Sequence, residues 1–421
     1  MATGTSDVTV LGAGIVGLCC ALAALEEGLS VTLVDADEPG CGASHGNAGV
    51  VSPWSVVPQN MPGLWRQLPR WLLDPLGPVR IRRAALPQLA TWGPRFLAHT
   101  RPRRINAISD AMADLMRDNI PRYRSWLAPT GQEGLLRDSL YVNAFRDPKR
   151  PNLDDLAWRL RIERGASVEI VEGEALRAIE PAIAPEYASA VIIWDQARAI
   201  SPGALCRALA DEAARRGALF RRARVRRIES DGNGGLALTT GEGSIPVWRL
   251  VLAAGMASAK LLEPLGYRFP LLAERGYHVE FPDPGVTVNH SLMDVAGKVV
   301  ASTMEDGLRI AGTSEITTPD TPPDPRRAEA LIPLARRLLP GLRTDGARTW
   351  SGIRPSLPDS LPAIGPLPGL PNLCAAFGHS HYGLGMAPAT GRLVADDLVG
   401  RARNNEPAML RPDRFVGARR A

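Results

Sequence analysis

A glycine-rich turn near the start of the chain has the residue types and the spacing needed to bind a phosphate-containing cofactor. Gly12, Gly14 and Gly17 form a G-x-G-x-x-G pattern between an apolar strand and a helix. The first glycine permits the tight turn, the second lets a pyrophosphate approach the backbone, and the third allows close packing of helix and strand. Asp35 ends the next predicted strand, where a carboxylate accepts hydrogen bonds from ribose hydroxyls. The sequence therefore predicts a βαβ unit that binds a dinucleotide, without deciding which one.

Glycine-rich segments recur at three further places where the backbone could meet a cofactor. The loop after Asp35 holds small residues over 44–49, whose N–H groups can approach an anion or a ring closely. Ala254-Gly255 and Gly378-His379 each follow an apolar strand. Gly383-Leu384-Gly385 then opens a predicted helix, whose N-terminus would stabilise the negative charge of a reduced flavin.

Length and composition restrict the class of protein. A chain of 421 residues is too long for one hydrophobic core, so two domains are expected. The net charge of +5 is modest, and no basic run is interleaved with aromatic residues, so nucleic acid is the least favoured partner. The five cysteines are scattered without a C-x-x-C pair, which argues against disulfides and against a metal site. Neither a signal peptide nor a membrane span is predicted, and a cytoplasmic location is expected.

The segment between residues 54 and 104 is rich in tryptophan, proline and arginine. We favour a set of short helices with buried aromatic side chains and solvated arginines, because proline interrupts any long amphipathic face. Loose association of this segment with a membrane surface stays open as the alternative. Downstream, the apolar spacing predicts single helices over Ile105–Leu127 and Pro325–Leu339 within a second lobe.

Taken together, these motifs resemble the FAD-dependent amine and amino-acid oxidoreductases of the D-amino-acid oxidase and glycine oxidase type. The resemblance is strongest to the D-amino-acid dehydrogenase branch, and it covers nearly the whole chain. It depends on the first glycine turn with Asp35, on Ser44-His45-Gly46-Asn47-Ala48-Gly49, on Ala253-Ala254-Gly255, and on Gly-x-Arg-Pro at Gly352–Pro355 followed by the last glycine turn. His45 departs from the branch, where an apolar residue is common at this place.

The resemblance implies an α/β fold, with a Rossmann-like FAD-binding domain of the glutathione-reductase type. The FAD domain would be discontinuous, over residues 1–53, 201–265 and 350–421. An interleaved α+β substrate domain over 54–200 and 266–349 would be built on an antiparallel sheet.

The resemblance also implies roles for individual residues. Arg354 would bind the substrate carboxylate, as the planar guanidinium group allows by paired hydrogen bonds; the alternative is a salt bridge that anchors a loop. Candidate polar groups on the substrate side are Tyr277, His278, His381 and His45, and His45 is also a minor candidate for covalent attachment of FAD. The implied contacts of FAD are Gly12, Ala13, Gly14, Ile15, Val16, Gly17, Asp35, Ser44, His45, Gly46, Asn47, Ala48, Gly49, Val225, Ala254, Gly255, Arg354, Gly378, His379, Gly383, Leu384 and Gly385.

The activity implied by the resemblance is oxidation of a D-amino acid or a related secondary amino acid, such as a D-proline derivative, by hydride transfer to FAD. The product would be an imino acid, and the electron acceptor would be a quinone, a dye-like acceptor or O2. A glycine- or sarcosine-type oxidase that uses O2 is an alternative. A flavin- or nucleotide-binding protein without amine turnover is an alternative of another class. No metal is expected, and peripheral association with the inner face of a membrane stays open.

Overall fold

The computed structural model of the protein describes residues 6–146, 151–230, 235–401 and 408–416. The strands in these ranges are β1 Val8–Leu11, β2 Val31–Asp35, β3 Val50–Val51, β4 Val79–Ile81, β5 Leu136–Phe145, β6 Val168–Glu172, β7 Ser189–Ala199, β8 Leu219–Arg222, β9 Arg227–Ser230, β10 Leu236–Thr239, β11 Ser244–Val247, β12 Leu250–Leu252, β13 Leu272–Phe281, β14 Ser291–Asp294, β15 Val299–Met304, β16 Gly307–Thr317, β17 Arg348–Ser356, β18 Ala363–Leu367 and β19 Leu370–Phe377.

The same ranges contain α-helices and several short 3-10 turns. The α-helices are α1 Ile15–Glu26, α2 Leu64–Leu73, α3 Leu86–Ala98, α4 Pro102–Met116, α5 Asn119–Leu127, α6 Leu156–Glu163, α7 Gly173–Ile179, α8 Pro202–Arg215, α9 Ala257–Leu262, α10 Pro325–Glu329, α11 Leu331–Leu338 and α12 Gly383–Leu398.

A six-stranded sheet in the order β18-β19-β12-β1-β2-β8 forms the first layer, parallel except for the pairing of β18 with β19. Strand β1 is buried along its whole length, as expected for a parallel strand covered on both faces. Helices α1, α8 and α12 cover one face, and the small sheet β11-β10-β9 packs with α9 on the other. Gly391 of α12 allows α1 to come close, because a methyl group there would overlap the carbonyl of Cys19.

A ten-stranded, mostly antiparallel sheet forms the second layer. Its order is β17-β13-β16-β15-β14-β5-β7-β3, with β4 beside β16 and β6 beside β7. Helices α10 and α11 pack on one face of this sheet, around Leu331, Leu334 and Leu338. A β-bulge shifts the register of β13 against β16 between Gly276 and Tyr277. The extra residue of the bulge is Thr313 of β16, which has φ +59°, whereas β13 pairs with β17 without a shift.

The predicted α/β class is confirmed. The strands of the two sheets can be compared with the chain segments that were predicted for the two domains. Every strand of the six-stranded sheet comes from residues 1–53, 201–265 or 350–421. Strands β17 and β3 are the exceptions, because they overlap the segments predicted for the FAD domain but pair within the ten-stranded sheet. The division into two domains stays a prediction.

Two helix predictions were wrong for the same physical reason. The segment Ile105–Leu127 forms α4 and α5 with a break at Arg117 and Asp118, and Pro325–Leu339 forms α10 and α11 with a break at Ala330. Each second helix has a proline at its third residue, Pro121 and Pro333. Proline has no N–H to donate, and its ring clashes with the carbonyl four residues earlier, so a continuous helix is disrupted just before it.

No helix in the described ranges is both long enough and apolar enough to cross a bilayer.

Candidate active site

The predicted dinucleotide turn connects β1 to α1, and its glycines are required by close backbone contacts. Gly12 has φ +109°, and a side chain there would overlap the carbonyl of Ala253. A side chain on Gly17 would overlap the carbonyl of Gly12, so the third glycine packs the helix onto the turn. The carboxylate of Asp35 accepts a hydrogen bond from the Ala13 N–H at 2.6 Å and lies on the wall of a large cavity. The turn and the acid are therefore brought together at one end of that cavity.

The loop after Asp35 runs along the same cavity. Ser44 accepts a hydrogen bond from the Ile15 N–H at 3.0 Å, which ties the loop to the start of α1. Gly46, Asn47 and Ala48 line the cavity, while Gly49 is buried behind them with φ +81°. The ring of Trp350 fills the space that a side chain on Gly46 would need. These small residues therefore let the loop lie close to whatever occupies the cavity.

His45 is placed differently from its neighbours in this loop. Its ring is exposed, does not line the cavity, and lies beside Gly203 of α8. Neither a catalytic role nor covalent attachment of FAD fits a ring in this position. The loop brings backbone to the cavity but directs this side chain away from it.

The cavity has a volume of about 1420 Å³ and extends from the dinucleotide turn to the ten-stranded sheet. Cavities for drug-sized ligands usually measure ~300–1,000 Å³, so this one has room for a dinucleotide and a small second molecule. The other predicted cofactor contacts that line it are Gly12, Gly14, Ile15, Val16, Val225, Ala254, Gly255, Gly378, His379, Gly383, Leu384 and Gly385. Ala13 and Gly17 lie behind this surface and shape the turn.

The start of α12 contributes the last glycine turn to the cavity wall. His379, just before it, is buried, and its Nε2 lies 2.9 Å from the hydroxyl of Thr390. That hydroxyl donates to the Met386 carbonyl, so its oxygen is the acceptor for an N–H of His379. Burial lowers the pKa of His379 to about 3, which keeps the ring neutral. The imidazole thus ties the residues before α12 to the middle of that helix through a hydrogen bond, and the ring does not take up a second proton near neutral pH.

Arg354 lies on the cavity wall where β17 pairs with β13. Its Nη1 donates to Glu274 at 3.0 Å and to Ser314 at 3.3 Å. Gly276 leaves room for the guanidinium group, because a side chain there would overlap it. Within residues 6–146, 151–230, 235–401 and 408–416, no hydrogen-bond partner is found for Nε or Nη2 of Arg354. Nη1 is therefore held by protein side chains, and Nε and Nη2 are available to a ligand.

Glu274 holds the guanidinium group of Arg354 in place. Its two oxygens accept four hydrogen bonds, from Ser314 and Arg354 on Oε1 and from Ser356 and Gln59 on Oε2. Burial alone would raise the pKa of Glu274, but Arg354, His381 and the two serine hydroxyls lower it to about 2. An ionised carboxylate has about four acceptor positions, so Glu274 has none left for a ligand. It orients Arg354.

The side chain of Gln59 forms hydrogen bonds to both Glu274 and His381. The Gln59 amide nitrogen lies 3.3 Å from Glu274 Oε2 and 2.7 Å from His381 Nδ1. An amide oxygen in its place would repel the carboxylate, so the nitrogen must face Glu274, and its other N–H points at His381. Nδ1 is therefore an acceptor, and the proton of the neutral ring is on Nε2.

The environment of His381 agrees with that tautomer. One side of the His381 ring is exposed to the open cavity, and the other sides are surrounded by protein. The surrounding protein lowers the pKa of His381 to about 4, although the carboxylate of Glu274 acts in the opposite direction. At neutral pH the ring is uncharged. His381 can donate a hydrogen bond from Nε2 but is poorly suited to act as a base through that nitrogen.

Tyr277 and His278 do not present the polar groups that were predicted for the substrate side. The ring of Tyr277 packs in the apolar core beneath α10 and α11, and its hydroxyl accepts from the Asp324 N–H at 3.0 Å. The ring of His278 stacks on Trp350 with 5.1 Å between centroids, and its Nδ1 lies 3.1 Å from the Gly46 carbonyl. Burial and Arg309 lower the pKa of His278 to about 3. A direct catalytic role does not fit either side chain.

Several residues of the site were not found from sequence. Glu274, Gln59 and Ser314 organise Arg354 and His381, and Trp350 covers His278. Glu274 lies directly opposite Arg354 in the β13–β17 pairing, so opposite charges on two paired strands were the available signal. Recognising this pair requires the register of β13 against β17, which cannot be read from the sequence.

The residues of the cavity fit the predicted FAD. Gly12 and Gly14 present backbone without side chains to the cavity, as a bound pyrophosphate requires, and Asp35 lines the same end, where its carboxylate could accept from a ribose. The N-terminus of α12, at Gly383, faces the cavity between that end and Arg354. FAD would therefore be held by the two glycine turns and the 44–49 loop, with its ring system toward the ten-stranded sheet.

Comparison with known proteins gives concordant matches along the whole chain. The family model described as DAO, FAD dependent oxidoreductase, matches residues 7–397. A D-amino-acid oxidase from Bradyrhizobium diazoefficiens is 37% identical over 417 residues, covering 97% of this chain and 99% of that protein. A D-amino acid dehydrogenase from Paramagnetospirillum magneticum is 33% identical, with 97% and 99% covered. The crystal structure of glycine oxidase from Geobacillus kaustophilus matches with a TM-score of 0.71 at 22% identity, covering 98% of this chain and 99% of that one.

Proposed function

The chain belongs to the DAO family of FAD-dependent oxidoreductases, and on that basis we propose that it oxidises the carbon–nitrogen bond of an amino acid. The proposed substrate is a D-amino acid or a related secondary amino acid such as a D-proline derivative. The names of the relatives that are 37% and 33% identical support the D configuration.

The observation that carries this proposal is the position of Arg354. The guanidinium group is held by Glu274 and Ser314 on one nitrogen, while Nε and Nη2 have no partner in the described chain. Two N–H groups side by side match the two oxygens of a carboxylate, and such charge-assisted pairs are about twice as strong as neutral hydrogen bonds. Arg354 thereby fixes the carboxylate of the substrate against the cavity wall.

His381 supplies a second directional contact. Its Nε2–H can donate to an oxygen of the substrate, and its tautomer is set by the Glu274–Gln59 interaction. Two fixed donors on one ligand limit its rotation, which is the main requirement for placing a reacting C–H bond accurately.

The chemistry requires placement more than acid or base groups. FAD, when bound, would supply the acceptor for a hydride from the α-carbon, and loss of that hydride would leave a carbon–nitrogen double bond on the amino acid. An amine without its extra proton provides the electron pair for that bond. A primary imine is then hydrolysed by water to a 2-oxo acid and ammonia, whereas a secondary cyclic amine keeps its ring. The low pKa values of His379, about 3, and of His381, about 4, make both rings weak bases, so neither is suited to remove a proton from the amine.

The decisive experiment is an anaerobic titration of the purified holoenzyme, followed by flavin absorbance. The panel contains D- and L-amino acids with D-proline, cis-4-hydroxy-D-proline, glycine and sarcosine. Bleaching by D-amino acids or D-proline derivatives supports the proposal, and bleaching only by glycine and sarcosine supports the alternative oxidase. A yellow protein that no amine bleaches contradicts amino acid oxidation and favours a flavoprotein without this activity.

The proposed electron acceptor is a quinone or a dye-like acceptor, with O2 as the alternative. The two most similar relatives named above are called an oxidase and a dehydrogenase, so a direct measurement is needed. Enzyme reduced with one equivalent of substrate is mixed with air-saturated buffer or with a water-soluble quinone. Faster reoxidation by the quinone supports a dehydrogenase, and fast reoxidation by air contradicts it.

Two further features of the organisation are proposals. The FAD domain comprises residues 1–53, 201–265 and 350–421, and the substrate domain comprises 54–200 and 266–349. We place the protein in the cytoplasm, with loose association at the inner face of the membrane through α2, where Arg70 is exposed and Leu73 is 83% exposed. Sedimentation with anionic vesicles but not with neutral ones tests this association, and Leu73→Ser should weaken it.

A further inference from the structure

Beyond Arg354, the cavity contains a second basic region, on the part of its wall formed by β5, β14, β15 and α6. We call it the cationic pocket and define it by Tyr141, Trp158, Arg161, Met293 and Lys298, all of which line the cavity. Arg161 and Lys298 supply two positive charges in this region. The acidic residue of the cavity wall that is nearest to Arg161 in sequence is Asp155, whose carboxylate is exposed.

Arg161 is half-buried on the cavity wall, and its guanidinium group has no carboxylate partner among the described residues. Its Nη1 donates to the Ala157 carbonyl at 3.0 Å, and its guanidinium carbon lies 4.9 Å from the centre of the Trp158 ring. Its Nε is buried without a hydrogen-bond partner, and no carboxylate lies within 4.0 Å of it in the part of the chain that is described. A buried unpaired charge is costly, and structures usually compensate it with a partner.

Lys298 lines the same cavity as Arg161 and lies at the turn between β14 and β15. Its side chain is exposed to the cavity, and no carboxylate of the described ranges comes within 4.0 Å of its ammonium group. The nearby Asp294 already interacts with Arg146 at 3.5 Å and accepts from the Ala296 N–H at 3.0 Å. Burial lowers the pKa of Lys298, and Asp294 and Arg161 act on it in opposite directions. Two cations therefore line the same cavity without a carboxylate of the described residues within 4.0 Å of either.

The cationic pocket is separate from the groups that hold the cofactor and the α-carboxylate. The pyrophosphate turn belongs to the six-stranded sheet, whereas these cations extend from the elements around the ten-stranded sheet. In that sheet β15 is three strands from β17, or about 14 Å at the usual spacing, and the long side chains of Lys298 and Arg354 shorten the gap. Tyr382 lines the same cavity, and its hydroxyl donates to the Val57 carbonyl at 2.6 Å.

We propose that Arg161 and Lys298 bind an anionic group on the side chain of the substrate, so that the preferred substrates are amino acids with a second carboxylate. This inference rests on the proposed function, in which Arg354 takes the α-carboxylate. The neighbouring Tyr141, Trp158 and Met293 would enclose the methylene groups between the two carboxylates. An acidic D-amino acid such as D-glutamate has this combination of charges and length.

The first test compares D-glutamate with D-norvaline, which has a neutral side chain of similar length. The wild-type enzyme should have a higher kcat/KM for D-glutamate. Arg161→Met and Lys298→Met should each lower kcat/KM at least about tenfold more for D-glutamate than for D-norvaline, since each removes a charge-assisted contact. Arg159→Met is the matched control, because Arg159 is an exposed arginine of the same helix that does not line the cavity.

The second test needs no turnover. Glutarate and valerate are titrated into the oxidised holoenzyme, and binding is followed by the change in the flavin spectrum. Glutarate should bind about tenfold more tightly than valerate, and Arg161→Met should remove the difference. Equal binding of the two acids by the wild type, with no preference for D-glutamate, would overturn the inference. If no amino acid reduces the flavin but glutarate still binds preferentially, the proposed function fails while the cationic pocket remains supported.

Discussion

Replacing Gly276 by alanine should move the guanidinium group of Arg354 without disturbing the rest of the site. An ideal Cβ at residue 276 would lie 2.5 Å from Cζ of Arg354, whereas ordinary contacts begin at 3.4 Å. The guanidinium group must therefore shift by at least about 0.9 Å, since Nη2 would lie closer still and the strand backbone at 276 is hydrogen-bonded on both sides. Gly276 does not have a positive φ, so alanine is compatible with the backbone.

The size of the effect follows from that shift. A misplacement of about 1 Å in a positioning group costs roughly 100-fold in rate, which corresponds to ~2.7 kcal/mol at ~1.36 kcal/mol per factor of ten. Gly276→Ala should therefore lower kcat/KM for the amino acid roughly 100-fold, mainly through KM. The ratio of flavin to protein should stay unchanged, because the FAD turn is elsewhere in the cavity.

The assay is steady-state kinetics with a dye acceptor, together with the flavin content and the thermal melting curve of each variant. Gly134→Ala is the control, since nothing lies within 4 Å of its ideal Cβ and its φ is not positive. Wild-type kinetics in a folded, flavin-loaded Gly276→Ala protein would refute the assignment of Arg354 as the carboxylate-binding group.

Three further predictions address the arginine, the cofactor turn and a buried histidine. Arg354→Lys should raise KM at least about tenfold with FAD retained, because an ammonium group lacks the planar pair of donors; an unchanged KM would contradict this. Gly14→Val should yield protein with little FAD, since an added Cβ already meets Ser44 Oγ at 3.3 Å, and a stoichiometric flavin content would show that the turn is not the FAD site. The pKa of His379 is lowered to about 3 from an ordinary value of 6.5, so the unfolded chain binds the extra proton first and stability falls as the pH decreases through 6.5. Melting temperatures at pH 7.5 and pH 5 should therefore differ less in His379→Gln than in the wild type, and equal differences would contradict the buried neutral ring.

The backbone features of the cofactor end could be predicted from the amino-acid sequence. The spacing of Gly12, Gly14 and Gly17 between two apolar segments specifies a strand, a tight turn and a helix, and the structure has them at β1 and α1. The start of α12 at Gly383 was predicted in the same way and was confirmed. Such predictions succeed because a turn of this kind depends on sterics between residues that are close in sequence.

The tertiary structure alone decided which side chains surround the substrate end. The packing of the ten-stranded sheet beneath α10 and α11 places Tyr277 in the core beside Val279 and Phe281, and the stacking of Trp350 on His278 removes that ring from the cavity. Glu274 orients Arg354 only because β13 pairs with β17 in one register, 80 residues apart in the chain. A shift of one residue in that register would place the two charges on opposite faces of the sheet. The register is set by the packing of many distant residues, and no local pattern in the sequence specifies it.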